Sequence, residues 1–239
     1  MAAIMLTFSD IVSHGNDMFQ FGELSSTTIG NEDIIKIHSA VPMSELHNIK
    51  NVLPRTLHDV EESYVLIIRG FFNDSCNEIF EELKKTTWDT HRIKDKQFFE
   101  NRLGYRLVFM DMYDTPIYPL NPETKSGTVY NHRFISPLNK VTLFLENALY
   151  GPLLCEAVLF YDRSICNTPM LRETKRKKVI KLCVGNSITI TFKWFKGTMV
   201  VSDEYNITLN NGDVCIFSEN AIGYNKDSKT KLYNKYSEK

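Results

Sequence analysis

The chain predicts an α+β fold that is mainly β, built from two sheets with a few helices packed on one of them. Three observations lead there. The first is alternation in the C-terminal third. Val179 to Val184 alternates around polar Lys181 and ends at Gly185, and Ser187 to Phe195 repeats the pattern with Ile188, Ile190, Phe192 and Trp194 on one face. A period of two, rich in β-branched and aromatic residues and bounded by Gly and Asn, marks antiparallel strands. The second is the turn signal Asn210-Asn211-Gly212-Asp213, between a short run carrying Ile207 and Leu209 and the apolar run Val214 to Phe217. Asn and Gly both tolerate the positive φ that a tight turn requires. Four short strands so connected fit a meander or jelly roll, one half of a double-sheet fold. The third is the pair of amphipathic segments upstream, where apolar residues fall at helical spacing.

In chain order, residues 1–60 are weakly patterned and read as an N-terminal extension, partly ordered, ahead of a domain over 61–239. Within the extension, Ile34 to His38 reads as a strand and Ser44 to Val52 as a short helix stopped by Pro54. Its four histidines, His14, His38, His47 and His58, have no metal-binding spacing. Tyr64 to Ile68 is a compact apolar strand. Arg69-Gly70-Phe71-Phe72 turns into a helix over Cys76 to Lys85, with Asp74 or Ser75 as cap, acids early, lysines late, and Ile79, Phe80 and Leu83 on its apolar face. Residues 89–125 are loop-rich and mix basic with aromatic side chains around a strand at Arg106 to Asp111. A second helix follows Ser136-Pro137, with proline in an early position where its missing N–H costs nothing, and turns Val141, Phe144, Leu145 and Leu149 inward. Glu156 to Tyr161 is the next strand.

Composition bounds the function. With 239 residues the chain can bury a substantial core, and its net charge of -1 argues against a globally basic nucleic-acid binder. It holds no apolar run of 18 residues, so no transmembrane helix is expected, and MAAIMLTFSD lacks the basic start of a signal peptide. Five widely spaced cysteines without a CxxC pair read as reduced thiols, and the expected location is intracellular, cytoplasmic or nuclear. Cys183 and Cys215 fall in strands and read as small core residues. No GxGxxG, Walker, GxSxG or HExxH motif is present.

The C-terminal elements resemble the AlkB-like branch of the 2-oxoglutarate/Fe(II) dioxygenases. The matching residues are Leu182 to Gly185, the hairpin from Ser187, the turn Leu209-Asn210-Asn211-Gly212-Asp213 with its apolar continuation, and the tail from Ser218 to Tyr224. The Arg69-Gly70-Phe71 turn with its helix resembles the start of that domain. The resemblance implies a double-stranded β-helix (jelly-roll) core, and a facial triad of two histidines and a carboxylate that holds Fe(II) and leaves positions open for 2-oxoglutarate and oxygen.

That triad is not supplied. Matching the strand at 156–161 and the run at 177–180 to the family puts its His-x-Asp turn on Leu171-Arg172-Glu173. Leu171 then replaces the first histidine, and Glu173 replaces the aspartate. Leucine has no lone pair, and the extra methylene of Glu173 moves its oxygens by about 1 Å, against tolerances of about 0.2 Å. No histidine follows His132, so the distal ligand is missing, and no arginine follows Arg176, so the 2-oxoglutarate clamp is missing too. The expectation is therefore a catalytically degenerate member with no cofactor, a binding or structural protein with a protein partner or a second copy of itself, and no membrane. Two alternatives stay open. One is an active dioxygenase of the nucleic-acid demethylase or protein hydroxylase type, using Fe(II) and 2-oxoglutarate with Glu173 joined by His91 or His132. The other is nucleic-acid or phosphate binding through the basic run, with Arg172, Lys175, Arg176, Lys177 and Lys178 as its contacts.

Overall fold

The computed structural model describes residues 2–14, 19–57, 59–94, 97–100, 103–111, 117–118, 128–162, 164–224 and 232–239. β1 (Ala3–Ser9) is followed by the hairpin β2 (Ile11–His14) and β3 (Phe19–Gly22), by α1 (Asn31–Ala40), and by the pair β4 (Ser44–Asn48) and β5 (Tyr64–Ile68). Next come α2 (Asn73–Lys84), the hairpin β6 (His91–Lys94) and β7 (Gln97–Glu100), β8 (Tyr105–Met110), β9 (Ile117–Tyr118), β10 (Val129–Asn131) and α3 (Ser136–Ala148). The last third is β11 (Leu154–Phe160), β12 (Val179–Gly185), β13 (Ile188–Lys196), β14 (Met199–Val200), β15 (Tyr205–Leu209), β16 (Val214–Phe217) and β17 (Leu232–Glu238).

Most of the regular secondary structure is strand, arranged chiefly in a large and a small sheet. The large sheet has nine strands in the order β4-β5-β16-β12-β1-β11-β8-β10-β9, and it is mixed because β8 and β10 run parallel. In the small sheet β13 pairs with β14 and β15 on one side and with β17 on the other. The pleat sends alternate side chains of the large sheet to opposite faces. Ile4, Leu6 and Phe8 of β1, with Ile180, Leu182 and Val184 of β12, pack against Ile34 of α1, Ile79 and Leu83 of α2, and Val141 and Leu145 of α3. On the other face Ala3 and Met5, Val179 and Cys183, and Cys215 and Phe217 share a second core with Ile188, Ile190, Phe192, Ile207 and Tyr236 of the small sheet. Helices therefore cover one face of the large sheet and the small sheet covers the other.

The C-terminal alternation is borne out. Ile188, Ile190, Phe192 and Trp194 are buried while Thr189, Thr191 and Lys193 are not, and Cys183 and Cys215 are buried free thiols. The two amphipathic helices are present as α2 and α3, with Pro137 in the first turn of α3. Four local expectations are corrected. Ile34 to His38 is helix, because Ile34 and Ile37 three residues apart both reach the core while Ile35 stays exposed, and Asp33 accepts the Gly30 N–H at the start. Ser44 to Asn48 is a strand, because its backbone pairs along β5; a 3₁₀ turn over Ile49–Val52 follows. Neither Asp74 nor Ser75 caps α2, which begins at Asn73. The N-terminal segment is no extension of the sheet domain. β1 lies between β11 and β12, with all seven residues buried. β17 was not anticipated; it pairs with β13 over seven residues. Within the loop-rich stretch, residues 95–96, 101–102, 112–116 and 119–127 lie outside the described residues.

Candidate functional site: a charged cavity between the sheets

A strand covered on both faces normally carries apolar residues throughout. Four neighbouring strands of the large sheet break that rule on the face toward the small sheet. Lys181 of β12 stands opposite Thr7 of β1, and Thr7 stands opposite Glu156 of β11, so three polar side chains form one row across the sheet. Arg106 of β8 pairs in register with Val158, two residues along from Glu156. Across the gap, β17 turns Tyr236 and Glu238 inward. The segment linking β11 to β12 closes the side. Leu171 donates its N–H to the Tyr236 carbonyl at 2.7 Å and accepts the Tyr236 N–H at 2.9 Å, and the Glu173 N–H bonds Ile222 at 3.0 Å. These elements enclose a cavity of about 270 Å³.

Its polar groups are paired with one another. Lys181 forms an ion pair with Glu238, donates to Thr7 Oγ1 at 3.1 Å, and lies 5.1 Å from the Tyr236 ring. Glu156 accepts Arg176 Nη2 at 2.7 Å on one oxygen and faces Arg106 Nη1 at 3.2 Å on the other. Burial alone would raise the Glu156 carboxyl, but Arg106 and Arg176 hold it down to about 2. Burial would lower the Arg176 guanidinium, but Glu173 and Glu156 keep it above its ordinary value. The Tyr236 hydroxyl donates to Glu173 Oε1 at 2.9 Å, and burial, reinforced by Glu173 and Glu238, drives its pKa well above the ordinary phenol value.

Leu171 and Glu173, the two residues that the resemblance matches to metal-ligand positions, both line this cavity. The donor set does not fit Fe(II). Leu171 offers no lone pair, Tyr236 stays a protonated phenol bonded to Glu173, and the Lys181 ammonium in the same space repels a dication. Among the described residues no group of three or more His, Cys, Asp or Glu side chains is placed to hold a metal ion. His132 is not brought in: its ring bonds the Asn139 side chain at 2.9 Å, at the start of α3. His91 belongs to the β6–β7 hairpin. No arginine supplies a clamp on β17. Lys235 lies over the Phe195 and Tyr233 rings, and Lys226, Lys229 and Lys231 fall outside the described residues.

The basic run does not form one cationic face. Arg172 donates Nε to the Gly223 carbonyl at 2.8 Å and lies over the Tyr233 ring. Arg176 points into the cavity. Lys177 donates Nζ to the Ser25 carbonyl at 2.7 Å, and buried Lys178 donates to the Leu149 and Tyr150 carbonyls at 2.7 and 3.0 Å beyond the end of α3. Burial pushes the Lys178 ammonium below its ordinary pKa, against the pull of Asp10. Lys175 is exposed at the cavity rim. Asp10 fixes the end of the run: its carboxylate accepts the N–H groups of Ser25, Lys177 and Lys178.

Sequence reasoning missed Thr7, Arg106, Glu156, Tyr236 and Glu238 as cavity residues. The available signal was one polar residue on the inward face of an otherwise apolar strand, noted only for Lys181.

No family model matches the chain. A relative is an uncharacterized protein, R156, of Acanthamoeba polyphaga mimivirus, 27% identical over 228 residues that span 92% of this chain and 88% of that protein. Among the described residues no helix is long and apolar enough to cross a membrane.

Proposed function

We propose that the chain is a dioxygenase-like double-stranded β-helix without Fe(II)/2-oxoglutarate chemistry, acting as a binding or interaction protein. The single observation that carries this reading is the occupancy of the cavity by the protein's own charges. Leu171 and Glu173 stand at the two positions the resemblance matches, Glu173 is bonded to Tyr236, and the same cavity holds a lysine ion-paired to Glu238. The winding supports the fold half of the reading. After β11 in the large sheet, Leu171 bridges to β17, β12 returns to the large sheet, β13 and β15 lie in the small sheet, β16 in the large and β17 in the small. This alternation between the two sheets supports the proposed double-stranded β-helix path. Five buried free thiols fit an intracellular setting.

The test is anaerobic. The purified chain is titrated with Fe(II) and 2-oxoglutarate, separately and together, and followed by thermal unfolding and calorimetry. A ligand at a hundredfold its Kd adds about 2.7 kcal/mol, which for a chain of this size raises Tm by roughly 5–10 °C. The expected result is no shift and no heat of binding. Stoichiometric uptake of both would overturn the reading and return the chain to the active dioxygenases.

A further inference from the structure

The cavity is internally paired but not internally neutral. Its lining carries five cationic side chains, Arg106, Arg172, Lys175, Arg176 and Lys181, against three carboxylates, an excess of two positive charges. The pairing is also uneven. Arg106 Nε is buried with no hydrogen-bond acceptor, although an unmet buried donor of this kind is costly. Arg176 Nη1 is 3.5 Å from Glu173, well beyond the 2.7–2.9 Å or so of a charge-assisted bond. Both donors belong to guanidinium groups that line the cavity and grip opposite oxygens of the same Glu156 carboxylate. Lys175 adds a solvent-facing ammonium at the rim.

We infer that this cavity binds a phosphate dianion, free or as a small phosphate monoester. The inference rests on the proposed function, since it uses a site without metal. An excess of two charges matches a dianion. Three donors on separate side chains suit the oxygens of a tetrahedral phosphate, where a planar carboxylate would offer two. At about 270 Å³ the space admits a small metabolite and no more. Arg176 stays on Glu156 while its loose partner Glu173 swings toward Tyr236, to which it is already bonded at 2.9 Å.

The experiment is calorimetry on the full chain in phosphate-free, low-salt buffer, with inorganic phosphate and then phenyl phosphate as probes. The expected result is saturable one-to-one binding of at least one probe. Affinity should fall about tenfold or more in Arg106→Gln and again in Lys175→Ala, the usual effect of removing one charged hydrogen bond. Lys175 is exposed, so its variant folds even if Arg106→Gln is unstable. No saturable binding, or an affinity unchanged in a folded variant of either kind, overturns the inference. Displacement of phosphate by 2-oxoglutarate without Fe(II) overturns the choice of phosphate over carboxylate. The two ideas fail separately: cooperative binding of Fe(II) and 2-oxoglutarate overturns the non-catalytic reading, and absence of all binding overturns only this one.

Discussion

Glu156 is the residue on which the cavity's electrostatics turn. Its side chain is almost wholly buried, and a lone carboxylate there would take up a proton. The two guanidinium groups reverse that preference and bring its pKa from 4.5 to about 2. The folded protein therefore holds this carboxylate ionised where the unfolded chain would already be protonated. The resulting stability is complete above the unfolded value of 4.5, declines as pH falls, and is gone once pH has passed through the folded value near 2. A shift of that size corresponds to about 3 kcal/mol. Glu156→Gln keeps the shape and removes the charge. We expect it to lower stability in urea by about 3 kcal/mol at pH 7, and by little near pH 2.5, where the native carboxyl has lost most of its advantage. Urea denaturation of both proteins at the two pH values measures this. A variant that stays parallel to the native chain across the range would mean that Glu156 does not carry the acid sensitivity.

At the scale of elements, the turn between β15 and β16 ties the large sheet to the start of α2. Asp213 accepts the Gly70 N–H on one oxygen, and the Asn210 N–H and Arg69 Nη1 on the other, at 2.6 to 2.8 Å. Arg69 in turn grips both oxygens of Glu45 on edge strand β4. Gly212 has φ of 80°, and a Cβ there would stand 2.2 Å from Asn73 Oδ1 and 2.8 Å from the Asn73 backbone nitrogen. Gly197 has a similar φ of 62° with nothing within 4 Å. Gly197→Ala should thus cost only the left-handed backbone term, about 1 kcal/mol, and Gly212→Ala at least about 2 kcal/mol more, because α2 must shift. Equal melting temperatures for the two variants would count against the contact. The same turn shows what the sequence could reveal. Arg69-Gly70 and Asn211-Gly212-Asp213 were each legible as turns, because a turn is a local property of φ. That they meet was not legible, since Arg69 and Asp213 are 144 residues apart. β12, β13 and β16 were legible for the same local reason. α1 suits a strand reading because Ile-Ile-x-Ile fits either period, and β17 escapes one because its buried face, Asn234, Tyr236 and Glu238, carries little apolar signal. In the cavity, Lys181 was legible as a polar residue in an apolar strand, whereas its partners and those of Arg176 depend on strand register.

For the whole molecule the decisive fact is where the chain begins its sheet. Ala3 to Leu6 is an unbroken apolar run, and for that reason it shows no alternation by which a strand is recognised. Its placement between β11 and β12 makes it the strand that joins two parts of the large sheet, and without it those two strands lose seven register pairs each. It also contributes to both cores, with Ile4, Leu6 and Phe8 under the helices and Ala3 and Met5 under the small sheet. Thr7 and Asp10, at its end, hold Lys181 and the Lys177–Lys178 backbone. Removing the four large buried side chains Ile4, Met5, Leu6 and Phe8 forfeits about 1.5–3 kcal/mol each, comparable in total with the usual 5–15 kcal/mol margin of a native domain, and the strand pairing is lost as well. A fragment over 61–239, the domain that sequence patterning and the resemblance suggested, is therefore expected to be unfolded or aggregated: it should lack a cooperative thermal transition and bind a hydrophobic dye. A synthetic peptide covering residues 2–12, added in excess, should restore the transition in a fragment over 13–239, because the vacated slot presents two strand edges in the correct register. A cooperative transition in the 61–239 fragment alone, at a temperature near that of the full chain, would show that β1 is an accessory strand and not the keystone of the sheet.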